Sequence, residues 1–157
     1  MDSRIGYDDD FYAWTQEQAR LLREAARERL NTPIDYEHIA EELDIMGGQI
    51  KDAIQSHLAT VIEHLLKLEH SSDTYPRRKW RASVMKARRH LDDKVKDHPS
   101  LRNWPAEILE RSWLDGHADA IQDDSIDVDA VPAECPYTLD QLRDPDWWPV
   151  NRHGLEG

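Results

Sequence analysis

Hydrophobic residues recur along this chain at steps of three and four, the period of an amphipathic helix. Nowhere do β-branched residues alternate at strand spacing between turn dipeptides. The predicted fold class is all-α: an antiparallel helical bundle of about five helices, with an irregular C-terminal strap and one short terminal helix. Thr15 is placed to cap a first helix, Gln18 completes a capping box, and Trp14, Leu21, Leu22 and Ala25 mark the side to be buried. That helix ends near Asn31, ahead of Pro33. Asp35 caps a second, short helix with Tyr36, Ile39, Ala40, Leu43 and Met46 on one face, and Gly47-Gly48 is expected to stop it in a tight bend. The third, about Gln49 to His70, carries Ile50, Ile54, Leu58, Val61, Leu65 and Leu68 in one stripe and is the expected central helix.

After the Pro76 break, Trp80, Val84, Ala87, Leu91 and Val95 define a fourth helix with basic outer faces, ended by His98-Pro99. Pro105 suits the first turn of a fifth, running to about Gln122, in which Gly116 permits a close helix contact. From Asp123 to Pro136 acidic residues and prolines without period predict a surface strap. Thr138 and Gln141 form another capping box, and Leu139, Leu142, Trp147 and Trp148 are positioned to pin the tail onto the bundle. The whole chain, 1–157, reads as a single helical domain with flexible ends at about 1–6 and 151–157.

Composition narrows the function classes. The 39% of apolar residues and six tryptophans supply the buried surface that disordered chains of comparable charge lack. A single cysteine, Cys135, rules out an intrachain disulfide and every cysteine-based metal cluster. An acidic N-terminus and the absence of an apolar run of about 18 residues argue against a secretion signal and a membrane span, so the expected location is cytoplasmic. The net charge of −12 disfavours general nucleic-acid or membrane binding. Its distribution is uneven: from Arg77 to Lys96 nine basic residues face only Asp92 and Asp93, a local +7 that leaves −19 for the rest. The expectation is that this basic helix packs beside the acidic second helix and the strap and cancels their charge.

The segments YDDDFYAWTQEQARLLRE, HIAEELDIMG, HLLKLEH, RRKWRASVMKARRHL and AECPYTLDQLRDPDWWP together resemble the bacterial family called domain of unknown function 29, over nearly the whole length. The resemblance implies a small helical protein of cyanobacterial and proteobacterial type and brings no reaction with it. It singles out Glu42, His64 and Arg88 as polar members of those motifs. Where similar sequences often read Lys-Trp after the paired leucines, this chain reads Leu66-Lys67-Leu68, without the ring.

Spacing adds His57 to that set. On a helical wheel Glu42 lies about 100° from its apolar centre, His57 and His64 sit within about 20° of each other at a stripe edge, and Arg88 lies about 60° from the centre of its own. Glu42, His57, His64 and Arg88 are therefore the candidate binding residues. One reading makes them a polar site inside the bundle, with carboxylate and imidazoles as ligands or acid-base groups and Arg88 holding an anion. The other pairs Glu42 with Arg88 across helices and leaves the histidines as satisfied boundary residues. No Glu has a His three residues later, as di-iron bundles require, and zinc's His-Glu-x-x-His is missing, so no metal set and no cofactor is assigned. Nucleophile elbows, phosphate loops and dinucleotide fingerprints are absent. The leading expectation is a helical protein-interaction or regulatory module that binds a protein partner or itself. The alternatives are a metal- or anion-dependent enzyme, and nucleic-acid binding through the fourth helix by Arg77, Arg78, Lys79 and Arg81 beside Trp80.

Overall fold

A single helix of 35 residues, α2 (Tyr36–His70), organises everything else in the computed structural model, which describes residues 5–156. At 1.5 Å per residue it is about 52 Å long. The break expected at Gly47-Gly48 does not occur, so the second and third predicted helices are one. Ala40, Gly47, Ile54, Val61 and Leu68 are all buried, at seven-residue steps that pass straight through the glycine pair. A helical glycine costs about 1 kcal/mol relative to alanine, and here close packing offsets it. A Cβ at Gly47 would meet Thr15 Oγ1 and Gln16 Nε2 at 2.8 Å, so α1 (Phe11–Arg27) approaches α2 where the side chain is missing.

Helix α1 starts five residues earlier than a Thr15 cap would have set it. Asp10 is the cap: its carboxylate accepts from Ala13 N at 2.8 Å and from Ser100 N at 2.6 Å, which also ties α1 to the turn Pro99–Leu101. Thr15 is fully buried instead, donating to Tyr12 O at 2.6 Å. α1 runs antiparallel to the first half of α2, with Arg23 and Asp44 paired across them. The faces expected to be buried in this pair are only partly covered, because Leu21, Ile39 and Met46 remain exposed.

The second half of α2 lies between α3 (Arg77–Asp97) and α5 (Leu109–Ala120). The anticipated close contact at Gly116 is present: a Cβ there would lie 2.7 Å from Ala59 O and 2.9 Å from Ile62 Cβ. The expected fifth helix is split at Ile108, leaving a four-residue α4 (Trp104–Glu107) with Pro105 in its first turn. Trp104 Nε1 donates to Lys51 O, and Trp80 and Trp113 are buried in the common core.

The strap beyond α5 is irregular, as its composition indicated, apart from a short turn at Val128–Ala130 and one bridge between Ser71 and Ile126. Among the described residues there is no longer strand. α6 (Leu139–Arg143) begins with both halves of the Thr138/Gln141 capping box. The tail then does more than expected. Asn151 is buried and donates to Leu68 O at 2.8 Å and Ser71 O at 2.9 Å, and Arg152 N donates to Glu69 O at 2.8 Å. These bonds satisfy carbonyls that the end of α2 leaves open, so residues just after Val150 are held rather than loose. Residues 1–4 and 157, part of the ends expected to be flexible, lie outside the described residues.

Candidate interaction surface

Continuity of α2 decides how the four candidate residues relate. Glu42 and His64 stand 22 residues apart on one unbroken helix, hence about 33 Å along its axis. Glu42 is exposed on the half that only α1 accompanies. It neither approaches the histidines nor pairs with Arg88, so the expected interhelical ion pair does not form.

Arg88 is 2% exposed and turns toward the chain's end. Its Nε donates to Leu142 O at 2.8 Å, and Nη2 donates to Gln141 O and Trp147 O at 3.0 Å. The guanidinium caps the last carbonyls of α6 and lies 5.0 Å from the Trp148 ring, against whose π-system Arg81 also packs at 4.0 Å. Burial pulls the Arg88 pKa down, against an opposing pull from Asp144. With Nη1 unpartnered, Arg88 is a clamp on the C-terminal segment.

His57 meets His90 of α3, ring centroids 5.2 Å apart and edge to face. Burial first, then the neighbouring charges of His90 and Lys94, lower the His57 pKa. His64 Nδ1 bonds Thr60 O at 2.9 Å, one turn back on its own helix. Each histidine is thus engaged locally, and among the described residues no three of His, Cys, Asp and Glu are grouped to hold a metal ion.

A denser polar cluster, which sequence spacing did not reveal, sits at the C-terminus of α2. Tyr137 donates to Glu69 Oε2 at 2.6 Å, and burial, aided by that carboxylate, raises the phenol's pKa well above its usual value. His70 is buried with neither ring nitrogen hydrogen-bonded, 3.6 Å from Glu69, and its own backbone O receives His153 Nε2. These residues come from α2, the strap and the tail, so no local pattern could have grouped them.

Two surfaces remain open. The outer face of α3 exposes Arg78, Lys79, Lys86 and Arg89 in a stretch with no acidic residue from Arg77 to Leu91. The ion pair that α3 makes among the described residues is Asp92 with Arg143, in which the helix supplies the carboxylate. Among the described residues its exposed cations form no ion pair with α2 or the strap, contrary to expectation. The second surface is the pair formed by α1 and the first half of α2, with Ile39 and Met46 each 43% exposed.

Comparison with known proteins agrees with this architecture. Residues 6–148 match the family described as Domain of unknown function DUF29. The chain belongs to that family. A solved structure from Rhodospirillum rubrum, described as an alpha-helical protein of unknown function, superposes with a TM-score of 0.71 at 25% sequence identity, over 91% of this chain and 92% of that one. No curated protein matches. Among the described residues of this DUF29 chain, no helix is long and apolar enough to cross a membrane.

Proposed function

We propose that this chain is a non-enzymatic helical interaction module of the bacterial cytoplasm, and that the outer face of α3 holds an acidic protein partner. The observation that carries this reading is the run of exposed cations without a carboxylate ally, in a chain whose net charge is −12. From Arg78 to Arg89 the run spans about 17 Å. Unpaired like charges on one helix repel one another, and complementary charge on a partner relieves that while steering its approach. Tyr75, 97% exposed just before α3, is the kind of aromatic anchor that protein interfaces bury. The lone thiol of Cys135 suits a reducing compartment.

Two features favour a protein over a nucleic acid. Single-stranded nucleic acid needs successive stacking platforms, and here Trp148 is already occupied by Arg81 and Arg88. Asp92, Asp93 and Asp97 also interrupt the basic run before the helix ends. An enzyme built on Glu42, His57, His64 and Arg88 would need those groups to meet, and the length of α2 keeps Glu42 away from the histidines.

The test measures fluorescence anisotropy of a labelled glutamate-rich peptide and of a labelled single-stranded RNA against the wild type and a Arg78→Glu/Lys79→Glu/Lys86→Glu/Arg89→Glu variant. The peptide should bind with an affinity that falls steeply with salt, and the variant should lose it. RNA binding tighter than the peptide, or a variant that binds the peptide unchanged, would overturn the reading.

A further inference from the structure

We infer a second docking site, on the α1/α2 arm, whose occupant is a basic amphipathic helix of a partner protein. It rests on observations independent of the α3 face. Among the described residues, α3 and α5 meet α2 in its second half, at Gln55, His57 and Ala59, whereas the first half meets α1, at Asp44 and Gly47. Projected down the two antiparallel helices, Leu22 and Ala25 of α1 and Ile39, Leu43 and Met46 of α2 point to one side of the pair. Leu22 and Leu43 are half-buried, and Ile39 and Met46 are exposed.

This side of α2 is the one that α3 covers further along. Eighteen residues are five full turns, so Ile39, Leu43 and Met46 recur in direction at His57, Val61 and His64. There His57 meets His90 of α3 and Val61 is fully buried. The arm therefore continues the seat of α3 with no further helix on it among the described residues, and its 14 residues of α2 offer about 21 Å, room for roughly four turns of a further helix.

Charge selects the occupant. Arg20, Arg23 and Arg27 of α1 project to the other side of the arm, where Arg23 pairs with Asp44. The acidic residues bordering the apolar side are Glu28 at the end of α1 and Glu42 on α2, both exposed and neither in an ion pair among the described residues, while Asp35, which caps α2, is paired with His38. A helix with apolar residues at three- and four-residue steps and lysine or arginine on its flanks matches both features. A second copy of the same arm would set acid against acid. The site gives Glu42 a role at a rim rather than in a buried pair.

The probes are two labelled synthetic helices, identical in their leucine positions, one flanked by lysine and the other by glutamate. In the Arg78→Glu/Lys79→Glu/Lys86→Glu/Arg89→Glu background, which removes the α3 face as a seat for the glutamate peptide, fluorescence anisotropy should show the lysine peptide binding at least about tenfold tighter, a difference of about 1.4 kcal/mol. Ile39→Glu/Met46→Glu should abolish binding, and Glu42→Lys should weaken the lysine peptide while strengthening the glutamate one. Ile45→Glu is the control, since Ile45 is somewhat more exposed than Ile39 and Met46 but faces another side of α2. All four positions are exposed, so circular dichroism should report an unchanged helix content. Equal binding of the two peptides, or loss with Ile45→Glu as large as with the double variant, would overturn the proposal. So would sedimentation that shows a dimer broken by Ile39→Glu/Met46→Glu in a protein that ignores both peptides, because the occupant would then be a second copy.

Discussion

Replacing Arg88 by methionine keeps an unbranched apolar stem and removes the guanidinium with all its donors. Three carbonyls, of Gln141, Leu142 and Trp147, lose their bonds to a guanidinium that is 2% exposed. Hydrogen bonds to a charged donor contribute about 1.5–3 kcal/mol each, so the gross loss is about 5 kcal/mol or more. Two effects reduce it. The cation is buried without a carboxylate within salt-bridge distance, so its removal relieves a desolvation cost, and the short α6 segment is able to move and rehydrate its carbonyls. The expected net destabilisation is about 3 kcal/mol, or about 6–12 °C in Tm for a chain of this size. Urea denaturation followed by circular dichroism measures it, and hydrogen exchange should locate the first protection lost in α6 and the tail. Arg88→Lys keeps the charge but not the planar fork and should recover less than half. Glu42→Ala, at an exposed position with no partner, should stay within about 0.5 kcal/mol of wild type. Destabilisation by Arg88→Met below about 1 kcal/mol, or a Glu42/Arg88 coupling above about 1 kcal/mol in a double-mutant cycle, would refute the clamp.

The glycines of the long helix and its neighbour should behave oppositely. Gly48 has nothing within 4 Å of where a Cβ would go, so Gly48→Ala should stabilise by up to about 1 kcal/mol. Gly116→Ala, pressed onto Ala59 O and Ile62, should cost about 1–3 kcal/mol by the same denaturation. Acid should destabilise the fold: burial lowers the pKa values of His70, His57 and His98, so below their ordinary value of 6.5 the unfolded chain binds more protons than the folded one. Stability should be flat above that pH and decline below it, and His70→Leu should shallow the decline; an unchanged slope would show that His70 is not among its causes. Asn151→Ala strips two bonds from the end of α2 and should cost about 1–3 kcal/mol, read as earlier exchange of the amides around Ser71.

The helical period made most of the elements legible, because each of α2, α3 and α5 buries a stripe along its length. What the period could not weigh was the glycine pair. Gly47-Gly48 carries the local chemistry of a helix stop, yet the seven-residue series from Ala40 to Leu68 runs through it without a change of phase. Only a neighbouring helix packed onto Gly47 tips the balance, and that neighbour is distant in sequence. The Asp10 cap has the same character: Thr15 with Gln18 is an equally good local box, and it lost to a carboxylate that also bonds Ser100, ninety residues away. The Thr138/Gln141 box, with no such competitor, formed as written.

The candidate site was less legible for a reason that lies in the same helix. Grouping Glu42 with His57, His64 and Arg88 assumed that short helices fold back and bring their stripe edges level. One continuous α2 spreads the same edges along its axis instead, and the polar residue types then find separate tasks: Arg88 on the carbonyls of α6, His57 against His90, Glu42 at an open rim. An apolar stripe states which side of a helix seeks cover, but not how much of its length the same chain supplies. On α2 the supply ends near residue 50, and Ile39 and Met46 keep the pattern of a core without having one. A two-helix arm gains little burial by itself, whereas a third helix laid along that stripe would extend to the first half of α2 the three-helix packing that already holds the second.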